Sequence, residues 1–285
     1  MCLRIGRGGG RPERDGRGEM TQNDPVTTEN LRALATLDVY FGMALGCAVG
    51  DLRRPGWTFL APRRDVDPMA LLFGRRALAY IISPLPESAG QPRGGVALVA
   101  PELRVAVATL LRLLSPTELF TPAGREAFDA LVRSATTDSI AGADAGHMAL
   151  RYTTRSRFAP YVGHLREWIE ALDESAEMEP LALSLLARHS GGVYVIREHG
   201  AIASFAGVRF DSPHVSEVSP RTVIERLRGQ GLACAVTSSA TRAILAGDRI
   251  PLYRHPAGHA PSERLAAALG YRAYGDAITY FTESR

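Results

Sequence analysis

Lysine is missing from this chain: all 33 of its lysine-plus-arginine side chains are arginine. Without lysine there is no Walker-type phosphate loop, whose lysine reaches the phosphates. There is also no Schiff-base chemistry on a lysine of the chain itself. The excess of Arg, Ala, Gly and Pro matches the codon bias of a GC-rich bacterial genome, which alone accounts for the absence. Cysteine is scarce, with Cys2, Cys47 and Cys234 far apart. That spacing offers no metal site and no disulfide framework, and it fits a reducing cytoplasm. Net charge is low, +3 over 285 residues, so no strongly basic surface points to nucleic acid. No apolar run reaches membrane-spanning length, and no signal-peptide core follows Met1.

The hydrophobic content, 46%, is enough for one large domain or two smaller ones. The first 28 residues, rich in Gly and Arg, read as a disordered tail, and Met20 is an alternative start. The cluster Gly6, Gly8, Gly9, Gly10 lacks the flanking strand and helix of a dinucleotide-binding turn. An N-terminal α+β region is expected over 29–135. Its first helix, 29–46, has Leu31, Leu34, Leu37, Tyr40, Phe41 and Leu45 at helical spacing. Strands are expected at 57–62, 77–84 and 95–101, then a helix to Ser115 and a shorter one over 124–134. The small polar stretch 136–146 marks the boundary. A second region, 147–285, opens with strands at 147–154 and near 164–168, then helical material to His189. Strands follow at 192–197 and 201–210, joined by a hairpin at Gly200. Further strands are expected at 214–218, 250–255 and 271–281, with a helix over 261–269.

Between two of these strands stands RLRGQGLACAVTSSATRAIL, Arg226 to Leu245. Leu232, Val236, Ala240, Ala243 and Ile244 form one helical stripe, and Gly247 is placed to end it. Gly229 and Gly231 therefore sit at the mouth of a helix, where the first backbone N–H groups have no intrahelical partner. Side-chain-free residues there let an anion approach, and the helix dipole favours it by up to ~1 kcal/mol. Arg226 and Arg228 add positive charge. The stretch reads as a phosphate cradle, with a plain glycine turn as the alternative.

In this context the chain resembles the GNAT superfamily of acetyl-CoA-dependent N-acetyltransferases, whose signature is Q/R-x-x-G-x-G/A opening a helix. Here it reads Arg226-Leu227-Arg228-Gly229-Gln230-Gly231, with the hairpin VYVIREHGAIASFAGV before it and LYRHPAGHAPSERLAAALGYR after it. The resemblance covers about 161–281. It implies a C-terminal mixed, mostly antiparallel sheet flanked by helices, in an α/β (α+β) chain; a degenerate half of the same kind is one reading of the smaller α+β N-terminal region, with a packing or acceptor-shaping role. It further implies that acetyl-CoA is held by Arg226, Arg228, Gly229, Gln230, Gly231, Leu232 and Ala233, with Val218 beside the pantetheine arm and His259 at the family's asparagine position. In the family the strand before the helix splays from its neighbour. Pro220, which cannot donate to a ladder, marks either that splay or a plain strand end.

The implied reaction is acetyl transfer to a primary amine of a small molecule or peptide. Glu217 is the candidate base, with His214 second; a solvated edge glutamate and a capping histidine are the plainer alternatives. The family's tyrosine acid falls at Ala266, which has no proton to give, leaving Tyr253, Tyr271, Tyr274, water or no acid. No metal is expected: Pro256 and Gly258 break the His255–His259 spacing. A competing reading is a non-catalytic acyl-CoA-binding or interaction module. The expected setting is the cytoplasm, with no nucleic-acid or membrane partner, and the oligomeric state is open between monomer and homodimer.

Overall fold

The computed structural model describes residues 27–60, 77–86, 91–136, 146–172, 179–209 and 212–282. Most of the expected tail, the Gly6–Gly10 cluster, Met20 and most of the boundary stretch lie outside the described residues.

Helix α1 (Thr28–Leu45) starts where the Thr27 hydroxyl accepts from the Asn30 N–H and ends at Gly46, whose φ of 70° needs no Cβ. Ala33, Leu37, Phe41 and Leu45 form its buried face, one residue per four. Leu31 lies two residues off that row, about 200° around the helix, and is 49% exposed rather than part of the stripe. After α2 (Val49–Arg53) come strands β1 (Gly56–Leu60), β2 (Ala77–Pro84) and β3 (Gly94–Val99). Helices α3 (Arg104–Leu113), α4 (Pro116–Leu119) and α5 (Pro122–Ala135) follow, then β4 (Gly146–Tyr152). Segment 164–168 is a 3-10 turn, not the expected strand; pairing begins only at β5 (Glu170–Ala171). The rest is α6 (Pro180–Arg188), β6 (Val193–Glu198), β7 (Ala201–Arg209), β8 (Val215–Thr222), α7 (Leu232–Ala246), β9 (Ile250–Pro256), α8 (Ala260–Ala268) and β10 (Arg272–Phe281).

The ten strands of the described residues join one sheet in the order β1-β3-β2-β10-β4-β9-β8-β7-β6-β5. Pairing is antiparallel except for β1 with β3 and β8 with β9. This is a mixed, mostly antiparallel sheet flanked by helices. The N-terminal strands meet the C-terminal ones directly, because β2 pairs with β10. One face is covered by α1, α2 and α6, the other by α3 to α5, α7 and α8. Two buried polar residues tie α1 to the C-terminal strands. Asp38 accepts from the Tyr274 hydroxyl at 2.8 Å and pairs with Arg53 at 2.8 Å, and Asn30 accepts from the Tyr152 hydroxyl. A buried carboxylate is tolerated because both oxygens are occupied.

Candidate active site: a forked strand pair below a glycine turn

Strands β8 and β9 run side by side only from Val215–Ile250 to Val218–Tyr253. Beyond that point β8 stays with β7 as far as Thr222, while β9 stays with β4 as far as Pro256. The two strands therefore part, leaving an opening between Ser219–Thr222 and Arg254–Pro256. The antiparallel alternation explains why Pro220 is tolerated here. The Val223 N–H donates to the Ala203 carbonyl, so the odd residues of β8 bond to β7 and the even ones turn away from it. Pro220 is turned toward the opening, where its missing N–H breaks no ladder bond.

The chain leaving β8 turns through Arg228-Gly229-Gln230 and enters α7. Gly229 and Gly231 have φ of 79° and 85°, left-handed values that other residues adopt at a cost of about 1–2 kcal/mol. Gly231 is the N-cap of α7, and no side chain caps it among the described residues. Its carbonyl accepts from the Ala235 N–H, so the N–H groups before Ala235 precede the first intrahelical bond. A Cβ on Gly229 would meet nothing within 4 Å, and one on Gly231 only Tyr161 and Leu165 at 3.9 Å. Open space over uncapped N–H groups is the geometry an anion such as a pyrophosphate fits.

The other expected cradle residues are placed as follows. Leu232 is buried under the turn in the same apolar cluster as Val218. Ala233, in the first turn of α7, takes a 2.6 Å hydrogen bond from Thr237 on its carbonyl, and the Gln230 amide donates to the Arg226 carbonyl at 3.2 Å. Both arginines reach the turn, but each is engaged by a carboxylate, Arg226 by Glu198 and Arg228 by Glu225 at 3.0 Å. They soften the local field less than two free cations would. His259 is the exposed N-cap of α8, with Nδ1 2.8 Å from the Ser262 hydroxyl.

Neither base candidate stands free in the opening. His214 is exposed at the paired, closed end of β8, five residues, or roughly 16 Å, before the opening begins at Ser219. Its carbonyl accepts from the Ile250 N–H at 2.7 Å and its own N–H donates to Ser212. Glu217 is 7% exposed, and its carboxylate is clamped by Arg209 at 2.8 Å and Arg254 at 3.0 Å. Burial opposes its ionisation, but Arg254 and Arg209 together hold the carboxyl below its usual range. A carboxylate so stabilised is a weakened base. The geometry makes it a clasp instead: Arg254 stands on β9 and Glu217 on β8, astride the point where the strands part.

Of the three tyrosines, Tyr274 is spent on Asp38 on the opposite face, and Tyr271 is buried with its hydroxyl 2.7 Å from Thr241. Tyr253 is the last β9 residue paired with β8. Ala266 is 2% exposed in the same apolar cluster as Tyr253.

Sequence reasoning missed the Arg209 and Arg254 partners of Glu217, which come from other strands and leave no local signal. It also missed Tyr161 beside the glycine turn, whose N–H donates to Ser238 of α7 at 2.9 Å. Its local signal is Gly163, where a Cβ would stand 2.1 Å from the Tyr161 hydroxyl.

No protein-family model matches the sequence, and no curated protein matches it. Among solved structures, the chain is similar to a protein from Novosphingobium aromaticivorans assigned to the GNAT acetyltransferases, with 24% identity, TM-score 0.40, 49% of this chain covered and 65% of that one. It thus spans less than two thirds of that relative. A GCN5-related N-acetyltransferase from Kribbella flavida is 14% identical with TM-score 0.41, over 88% of this chain and 96% of that one. A tandem GNAT protein from the clavulanic acid biosynthesis pathway is 16% identical with TM-score 0.35, over 57% and 58%. Among the described residues no helix is long and apolar enough to cross a membrane.

Proposed function

We propose that the chain is an N-acetyltransferase that takes acetyl from acetyl-CoA to a primary amine of a small molecule or peptide. The observation that carries this is the conjunction of an opening between parallel strands with an uncapped, glycine-lined helix mouth on the strand that enters it. Gly229 to Ala233 would hold the pyrophosphate through backbone N–H groups, and the even residues of β8, Val218 and Thr222, would offer backbone groups to the pantetheine arm. Acetyl-CoA supplies an activated acyl group. The chain's part is to orient it, exclude water and handle protons. With Glu217 clasped and His214 distant, the acceptor's proton leaves through water at the opening.

Those same two placements, with Ala266 at the family's acid position, favour a second reading: a domain that binds acyl-CoA without turning it over. Calorimetry with acetyl-CoA, paired with a CoA-release assay over a panel of primary amines, separates the two. The catalytic reading expects binding and release by wild type, and binding weakened at least 100-fold in Gly229→Glu, a site where an added Cβ meets nothing within 4 Å. Tight binding with no release supports the second reading. Equal binding by wild type and Gly229→Glu overturns the cradle.

A further inference from the structure

We propose that the acceptor amine carries a carboxylate, and that Arg221 binds it on the face of the sheet opposite α7. This rests on the acetyltransferase reading and names the class of amine that the opening serves.

The side chains of β8 alternate across the sheet. Val218 belongs to the apolar cluster under α7, whereas Val215 packs with α1 on the other face. Glu217 shares the Val215 face, and Ser219 and Arg221 follow it there at two-residue steps. Pairing with β7 runs in unbroken register from Arg209–Glu217 to Ser204–Thr222, so no bulge turns Arg221 over. Its register partner Phe205 packs under α6. Gly207, the partner of Ser219, lies against the His189 ring at the end of α6. On β9, Arg254 points to the same face, because it bonds Glu217. Ser219, Arg221 and Arg254 therefore floor the opening on this side. Helices α7 and α8 and the glycine turn occupy the other side, which leaves this one to the acceptor.

The charges on this floor select what can lie there. Glu217 is the one carboxylate in β7, β8 and β9, and it is spent on Arg209 and Arg254. Arg221 is exposed, and its guanidinium has no hydrogen bond or ion pair among the described residues. On the wall beside Ser219, burial holds His189 toward its neutral form despite its bond to the Leu185 carbonyl, and Arg209 and exposed Arg188 add to that. The floor thus offers a cation with no partner and no carboxylate to spare. A guanidinium takes a carboxylate through two parallel N–H groups. A second ammonium, as in a diamine, finds no counter-charge and faces Arg221 instead. The same cation disfavours the protonated acceptor amine, which must be neutral to attack. Arg221 stands two residues, about 7 Å, beyond Ser219, where the strands part. That span is comparable with the chain of 4-aminobutyrate.

The transfer itself balances. The amine nitrogen bonds to the acetyl carbon, the carbon–sulfur bond breaks, its electron pair leaves with sulfur as thiolate, and the amine's proton goes to water.

The test uses the full chain, acetyl-CoA and three acceptors that differ only at the far end: 4-aminobutyrate, butylamine and putrescine. Wild-type kcat/KM should be about 10-fold higher for 4-aminobutyrate than for butylamine and about 100-fold higher than for putrescine, with both margins shrinking as salt is added. Arg221→Ala should raise the KM for 4-aminobutyrate about 10-fold with little change in kcat, the mark of lost binding rather than lost chemistry. Arg221→Lys should keep the order of acceptors, and Arg221→Glu should put putrescine first. Arg221 is exposed and unpaired, so these variants remove no contact that holds the fold. Butylamine or putrescine turned over as well as 4-aminobutyrate by wild type, or an order of acceptors that Arg221→Glu leaves intact, overturns the inference and leaves the acetyltransferase reading standing. Wild type that binds acetyl-CoA and releases no CoA with these or with a wider panel of primary amines overturns both.

Discussion

The sheet contains two parallel strand pairs, and they end differently. In the N-terminal half β1 lies against β3 over its whole length, from Gly56–Gly94 to Leu60–Leu98. In the C-terminal half β8 and β9 share four residues and then separate. Each pair has a strand that leads into a helix, β3 into α3 and β8 into α7. The exits contrast: β3 leaves through Pro101 and a 3-10 turn with no left-handed residue, whereas β8 leaves through two left-handed glycines. The filling contrasts as well. Trp57 lies over Gly95 so closely that a Cβ there would be 2.4 Å from the indole, and its N–H donates to the Leu114 carbonyl at 2.6 Å. An aromatic ring seals one pair, while an ion pair clasps the other and leaves space above it. Trp57 covers the start of its pair rather than the end from which β3 leaves, so at the exits themselves the two pairs differ in the parting of the strands and in the left-handed glycines.

The clasp is the place to break this contrast hardest. Glu217→Gln leaves Arg209 and Arg254 without their buried counter-charge, a change that typically costs about 3–5 kcal/mol. Urea unfolding should show a loss of that order. Because Arg254 and Arg209 hold the folded carboxyl below its unfolded value near 4.3, this contribution is present above that value and lost as pH falls through the folded one. The wild-type advantage over Glu217→Gln should therefore shrink in acid. If Glu217 is instead a catalytic base, the variant keeps its stability and loses turnover, so stability and kcat measured on the same sample decide.

The sealed pair should give a smaller effect of a different kind. Trp57 is half-buried, so Trp57→Ala should cost about 2 kcal/mol, below the full aromatic-to-alanine penalty, including the lost bond to Leu114. Acetyl-CoA affinity should not change, since β3, β2, β10 and β4 lie between β1 and the fork in the sheet. An affinity loss comparable to that of Gly229→Glu would mean that the two pairs are one functional unit.

Much of the fork was readable locally. The hairpin β6–β7, the helix after Gly231 and its end at Gly247 follow from periodicity and glycine placement, which are short-range signals. The opening was readable only as one of two meanings of Pro220, because the register against β9 depends on a strand 30 residues away. What could not be read is non-local. Strand β4 lies between β9 and β10, far from both in sequence. Asn30 and Asp38 look like ordinary polar helix residues until Tyr152 and Tyr274 arrive from other strands. Glu217 alternates in VSEV as a solvated edge residue would, and only Arg209 and Arg254, on either side, turn it inward.

The smallest expected effect concerns the charge at the cradle. Arg226 looked like a free cation for phosphate, yet it is exposed and bound to Glu198 through both guanidinium nitrogens. Exchanging that carboxylate for a phosphate would gain little, and salt screens what it gains. Arg226→Ala should raise the Kd for acetyl-CoA by only about 2-fold to 3-fold at low ionic strength, and by less as salt is added. Glu198→Gln should move the other way, because it frees the guanidinium for the anion. A loss of 10-fold or more in Arg226→Ala would show that the arginine leaves Glu198 when the cofactor binds, and that side-chain charge rather than backbone N–H groups dominates the cradle.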